Sequence, residues 1–314
     1  MILRTGTRFR SRWGGPTGML GIVLTGLATL VLLTLLGALL TSVLSGGIPA
    51  FSWRFVTTIP RKDFFDVESA AILPMIVGTT LRVLIMTVFV MPFGVVTAVY
   101  LSEYADPASP FTRWIRSAIS NIAGVPSIVF GLFGLGFFVN FLGRGLDAVS
   151  GVGTPELGRP SLLWASLTLA VMTLPVVIVA TEESLRSIPP GLREASLALG
   201  STKLQTVWRI VLPQALPGIL TGGILAVGRA AGEVAPILFT GAAYYTAELP
   251  GRLTDQFMDL GYHVYVLATQ SPNVDQTAPI LYATVLALLF LTLSLNAGAI
   301  LLRSRLRRNQ RDAA

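Results

Sequence analysis

Apolar residues in this chain fall into six long runs, roughly 19–43, 71–101, 117–142, 160–181, 214–240 and 278–302. Each is close to or above the about 20 residues that an α-helix needs to cross the hydrocarbon core of a bilayer. The runs predict an all-α, polytopic membrane protein of six transmembrane helices, with no soluble domain. No inverted repeat of the kind common in secondary transporters is visible. The connections 44–70, 143–159 and 241–277 are rich in Gly, Pro, Ser, Thr and Asp, as water-exposed segments are. The last of them carries Tyr244, Tyr245, Phe257, Tyr262 and Tyr265 and predicts a short surface helix. The start, with Arg4, Arg8, Arg10 and Arg12 ahead of an apolar run, is like a signal peptide. The run from Met19 to Val43 is longer than a cleavable apolar region of about 7–15 residues, so it reads as a retained first helix.

Composition agrees with a bilayer as solvent. Hydrophobic residues make up 53% of the chain and charged ones 12%, about half the charged fraction of a soluble domain. Mean hydropathy is +0.70. The chain has no cysteine and one histidine, His263, which removes thiolate metal sites, cysteine nucleophiles and histidine dyads. The net charge of +7 reflects topology rather than nucleic-acid binding. With the N-terminus inside, 15 Lys and Arg fall on cytoplasmic segments: the four N-terminal arginines, Arg113, Arg116, Arg186, Arg193, Lys203, Arg209 and five in the tail from Arg303 to Arg311. Six fall outside: Arg54, Arg61, Lys62, Arg144, Arg159 and Arg252. This bias predicts an inner-membrane protein with both termini in the cytoplasm.

Between the fourth and fifth runs, the segment Ser187–Pro213 predicts a compact helical hairpin. Ser187 is a candidate N-cap and Pro189-Pro190 suits a first turn. A short helix over 192–199 would end at Gly200 in a left-handed conformation, and a second over 202–211 would stop at Pro213. By itself such a hairpin fits either a protein-docking projection or an amphipathic element lying on lipid headgroups. Gly200-Ser201-Thr202-Lys203 has the residue types of a phosphate loop in the wrong order, and no G-x-x-x-x-G-K-[ST] occurs, so the sequence predicts no nucleotide site of its own.

Charges inside membrane spans are costly and are functional-site candidates. Arg82 lies in the second run, Arg229 and Glu233 in the fifth. Arg229 and Glu233 share a helix face at i,i+4, and Pro236 should bend the helix beyond them. Counted from Ala71, Arg82 lies about 16 Å into the membrane, close to the depth of Arg229. A guanidinium fork matches tetrahedral oxyanions, so these residues are candidates for a substrate pathway. Arg229 and Glu233 could equally be a packing pair, and Arg82 could instead pair with a neighbouring subunit. Thr79, Thr80, Asn121 and Ser127 are candidate hydrogen-bond donors along the pathway. Glu182 and Glu183 close the fourth run and read as solvated or loop-capping charges rather than a proton relay.

Glu194-Ala195-Ser196, then Gly200, then Ile210, Leu212 and Pro213, resembles the EAA motif of type I ABC importer permeases. The resemblance implies a MetI-like fold over 71–302, preceded by an N-terminal segment with the first helix and outer loop (1–70) and followed by a basic tail (303–314). It also implies that Glu194, Ala195, Ser196, Gly200, Ile210, Leu212 and Pro213 engage an ATP-binding subunit. Four further segments resemble the phosphate-specific, PstA branch of that family: Tyr100–Ala105, Ala123–Gly134, Ala231–Thr240 and His263–Ala268. Val234 departs from it, standing where the branch often has Thr. The resemblance implies inorganic phosphate import with a PstC-like second permease, a dimer of ATP-binding subunits and an extracytoplasmic phosphate-binding protein. No cofactor or metal is expected in the chain itself. The alternatives are a type I permease for another oxyanion (phosphonate, sulfate or molybdate) and an ion-coupled carrier.

Overall fold

The computed structural model describes residues 16–60, 65, 70–150, 156–246 and 248–312. Arg4, Arg8, Arg10, Arg12, Arg61 and Lys62, part of the charge count, lie outside these residues. The helices are α1 (Pro16–Gly47), α2 (Trp53–Thr57), α3 (Leu73–Val99), α4 (Pro110–Ile122), α5 (Ser127–Phe133), α6 (Arg144–Ser150), α7 (Leu162–Arg186), α8 (Pro190–Ala198), α9 (Lys203–Thr206), α10 (Leu212–Gly232), α11 (Ile237–Thr240), α12 (Leu260–Thr269) and α13 (Val274–Asp312). Wider π-helical turns extend three of them: Tyr100–Tyr104 after α3, Gly134–Gly143 between α5 and α6, and Val207–Val211 between α9 and α10. Six helices among the described residues are long and apolar enough to cross a membrane. They are Gly18–Ala50, Leu73–Tyr104, Ser127–Ser150, Leu162–Arg186, Lys203–Gly232 and Val274–Arg305.

Hydroxyl residues tolerate these apolar helices because their protons return to the backbone. Thr25, Thr29, Thr34 and Thr41 of α1 each donate to the carbonyl four residues earlier, as do Thr87 and Thr97 of α3 and Thr168 and Thr173 of α7. In hydrocarbon, where water cannot satisfy a polar group, this internal pairing is what permits the residue.

The core is the parallel packing of α3 beside α7, with α10 antiparallel to both. Val83, Met86 and Val90 of α3 meet Leu169, Met172 and Val177 of α7 and Ala226, Ala230 and Ala231 of α10. Lipid tails are as apolar as leucine, so close van der Waals contact between small and large side chains, rather than exclusion of water, holds such helices together. In contrast, α1 is exposed along most of its length and packs on α13.

Three expectations are corrected. The run 117–142 is not one span. Residues up to Ile122 belong to α4, and the chain turns at Ala123–Pro126 before the third span starts at Ser127. Pro126 supplies no N–H and disfavours helix at Val125. α4 is amphipathic: Ile115 and Ile119 pack near Ala98, Leu101 and Ile178, while Phe111, Arg113 and Trp114 are exposed. The fifth span is displaced toward the hairpin. It runs from Lys203 through Pro213 and ends at Gly232, not Thr240. The π-turn Val207–Val211 widens the backbone just ahead of Pro213, where a regular helix would clash with the proline ring.

The helix expected at the surface in 241–277, α12, is instead half buried. Leu260, His263, Val266 and Leu267 form its inner face, and it packs on α13 and α3. Asp259 caps it, accepting bonds from the N–H groups of Gly261 (2.9 Å) and Tyr262 (3.2 Å). Burial pushes the pKa of His263 from 6.5 down to about 4. Because the folded value is depressed, the stability tied to neutral His263 is complete above pH 6.5 and is lost as pH falls through about 4. The unfolding temperature of the detergent-solubilised protein should therefore fall between pH 6.5 and 4, and His263→Gln should flatten that slope. An identical pH profile in the two proteins would refute the assignment.

Candidate functional site

α10 stops at Gly232, and Glu233 is extended (φ −78°, ψ 130°) before α11 begins after Pro236. Pro236 cannot donate to the carbonyl of Gly232 and disfavours helix at Ala235. The bend expected at Pro236 is thus a complete break, centred three residues earlier. Such a break in a membrane span leaves carbonyls without helical partners.

Arg82 fills that role. Its Nη1 donates to the carbonyls of Ala230 (3.0 Å) and Glu233 (3.3 Å), and its Nη2 to that of Ala231 (3.3 Å). Nη2 also forms an ion pair with Asp259 at 2.8 Å, both side chains being fully buried. Of its donors, Nε alone lacks a partner among the described residues. A cation at a helix C-terminus is favourable, and here it also neutralises the acid that caps α12.

Thr79 completes the knot, donating to Asp259 Oδ2 (2.9 Å) and accepting from the N–H of Leu260 (2.9 Å). Gly78 is required alongside, because a β-carbon there would strike the Met258 carbonyl. The depth match between Arg82 and Arg229 therefore appears as direct contact of Arg82 with the backbone next to Arg229. The guanidinium of Arg82 faces the packed interior of this chain.

Arg229 has the opposite environment. Its side chain is 45% exposed and its Nε lies 3.5 Å from Glu233 Oε1. The two form a loose pair across the break, on a face of the chain that no other described element covers fully. The remaining pathway candidates are dispersed. Thr80 donates within its own helix to Ile76 (2.7 Å), Ser127 begins α5 and is partly exposed, and Asn121 lies exposed in α4. Glu182 is half buried rather than solvated, paired with Arg116 (2.8 Å) and more loosely with Arg186 (3.8 Å).

The hairpin has its predicted hinge. Gly200 has φ +87°, the one left-handed φ among the described residues, and leaves space beyond its α-carbon unfilled. Its role is conformational: a side chain at that φ is strained even with room to spare. Ser187 is corrected from an N-cap to the residue closing α7, its N–H bonded to the Glu183 carbonyl (3.1 Å). The first short helix begins at Pro190, and the second has no end at Pro213 but continues as the fifth span.

Thr202 caps that second helix in a reciprocal box with Gln205, and the Ser196 and Thr206 hydroxyls, 2.9 Å apart, close the hairpin. Glu194, Ala195, Leu197, Leu199 and Gly200 are exposed, Ile210 and Leu212 are half buried, and Pro213 is exposed. The hairpin thus presents one carboxylate and several small or apolar groups outward.

Asp259 and Asn296 went unrecognised in the sequence. An unpartnered arginine in a membrane span implies an acid somewhere, but several acids of 241–277 satisfy that requirement equally. Asn296 of α13 faces Gly228, one residue before Arg229, and nothing in its apolar run marks it.

Six membrane-length helices, a charged break in one of them and an exposed glycine-hinged hairpin define a membrane-spanning transport component. The chain belongs to the family of binding-protein-dependent transport system inner membrane components, whose pattern matches residues 90–308. It is thus a multi-pass membrane protein. It is 35% identical to the probable ABC transporter permease YqgI of Bacillus subtilis over 68% of this chain and 67% of that one. It is 31% identical to the phosphate transport system permease PstA 2 of Mycobacterium bovis over 84% and 80%.

With PstA of Mycobacterium leprae it shares 39% identity, but over about half of each chain (51% and 48%). Among solved structures, it is similar to a bacterial alginate ABC transporter in complex with a periplasmic protein (TM-score 0.59, 14% identity, 90% and 92% covered). It is also similar to the MetNI methionine ABC transporter (TM-score 0.51, 18% identity, 75% and 94% covered). The fold is that of the MetI-like permeases.

Proposed function

We propose that this chain is a permease subunit of an ATP-driven inorganic phosphate importer. The observation that carries the reading is Arg229: half exposed beside Glu233 at the break that ends the fifth span, in a segment whose backbone Arg82 holds without engaging Arg229 itself. A guanidinium there can accept a tetrahedral oxyanion in a bidentate manner, while Glu233 limits how tightly the anion is held. Relatives of this chain are named as phosphate transport permeases of both the PstA and PstC types, which favours phosphate over other oxyanions.

The partners follow from the chemistry. Arg229 lies on an open face, so a second permease, PstC-like, completes the pathway. The exposed hairpin around Glu194, Ala195 and Gly200 docks an ATP-binding subunit, two of which form the engine. A phosphate-binding protein delivers cargo at the opposite end. The preponderance of basic residues on one side favours cytoplasmic termini, and with them a hairpin on the side where ATP is available. Closure of the ATP-binding dimer pushes the hairpin, the spans rock, and the elbow at Arg229 is exposed to the other side.

The reading is tested by uptake of labelled phosphate in a strain lacking its own high-affinity importer, with the complete system supplied. Competition by unlabelled phosphate and not by sulfate or phosphonate is expected. Competition by sulfate or phosphonate at equal concentration would move the chain to another oxyanion, and uptake independent of ATP would make it a carrier.

A further inference from the structure

The short helix α8 packs chiefly on its own hairpin, against α9 and the turn Val207–Val211, and Ser196 is its one buried residue. Packing alone therefore gives it little hold on the rest of the bundle. Arg193 supplies that hold. Its Nη2 lies 2.8 Å from Glu103 Oε1 and its Nε 3.2 Å from the same oxygen. Nη1 donates to the carbonyl of Ile188 (2.9 Å), and Nη2 also to that of Leu185 (2.8 Å). One side chain thus joins α8 to the end of α7 and to the π-turn Tyr100–Tyr104 that continues α3.

That turn is gripped from other sides as well. Arg116 of α4 donates to the Leu101 carbonyl (2.8 Å), and Lys203 of α9 lies 5.1 Å above the ring of Tyr104. Within the same helical span, about a third of the way from its other end, Arg82 holds the end of α10. The second span is therefore fastened by two charged side chains: at its end to the hairpin through Glu103, and within the membrane to the break beside Arg229 through Arg82.

We propose that the Arg193–Glu103 pair is a positioning latch through which displacement of α8 moves the second span, and with it the elbow at Arg229. The proposal rests on the transporter reading above. It concerns transmission: neither residue faces the substrate elbow, and neither is among the exposed groups of the hairpin. Glu103 is nearly buried and Arg193 largely so, which makes the pair less screened and more directional than a surface ion pair.

The experiment uses the complete complex in proteoliposomes, measuring labelled phosphate moved per ATP hydrolysed for Glu103→Gln, Arg193→Gln, the double variant and Glu103→Asp. Each Gln variant should assemble and hydrolyse ATP within about twofold of wild type while moving about tenfold less phosphate per ATP, a typical coupling between linked sites. The double variant should be no worse than either single, since both remove one interaction, and Glu103→Asp should retain most of the coupling.

An unchanged ratio in the Gln variants would overturn the proposal. So would equal losses of assembly and hydrolysis that multiply in the double variant, because they would mark a merely structural contact. If the wild-type complex moves sulfate and not phosphate, the substrate reading fails and the same ratio is taken with sulfate, so the two failures are read separately.

Discussion

Replacing Arg229 with Gln is expected to lower anion uptake by about a hundredfold or more while the complex still assembles. The side chain is 45% exposed, and its protein partner is one carboxylate at 3.5 Å, so little of the fold depends on it. What is lost is a charged fork inside a membrane span. Charge-assisted hydrogen bonds in a water-poor site contribute about 3 kcal/mol, which corresponds to that factor. Arg229→Lys should fall between, because it keeps the charge and loses the planar pair of donors. Uptake is read with labelled phosphate and assembly by co-purification of the partner subunits. Normal uptake by Arg229→Gln would sink the anion-site role.

Arg82→Met should behave in the reverse manner, losing stability first. The change strands Asp259 as an uncompensated buried charge and removes three backbone contacts at the end of α10. Breaking a buried pair from one side costs about 3–5 kcal/mol. The double variant Arg82→Met with Asp259→Leu should recover part of that, because no charge is then left unpaired. It cannot recover all, since the Ala231 and Glu233 carbonyls stay unmet, Ala230 keeps only the Glu233 N–H, and α12 loses its cap. Thermal unfolding in detergent ranks the three proteins. A single variant as stable as wild type would show that the knot does not hold the elbow.

The two arginines illustrate how far a sequence can be read. Both were legible as charges in apolar runs, and their equal depth followed from counting residues at a fixed rise. Their roles were not, because a role depends on what lies across the helix. Asp259 is 177 positions from Arg82, in a segment whose composition suggested water, and its pairing is a consequence of α12 folding back onto α3. The hairpin was legible for a different reason. Gly200 needs only its own backbone to turn the chain, and that preference is local. The errors nearby were also local conflicts: Pro213 reads as a stop, yet a π-turn before it carries the helix through, and Pro126 breaks an apolar run that hydropathy alone joins.

By itself, then, the sequence determined the solvent, the number of spans and the place of the hairpin, because burial of twenty apolar residues and the φ of one glycine are properties of short segments. Only the tertiary structure decided which arginine is a strut and which is left open. A guanidinium in a membrane takes whichever carbonyls and carboxylate packing brings to it, and packing is a property of the whole chain.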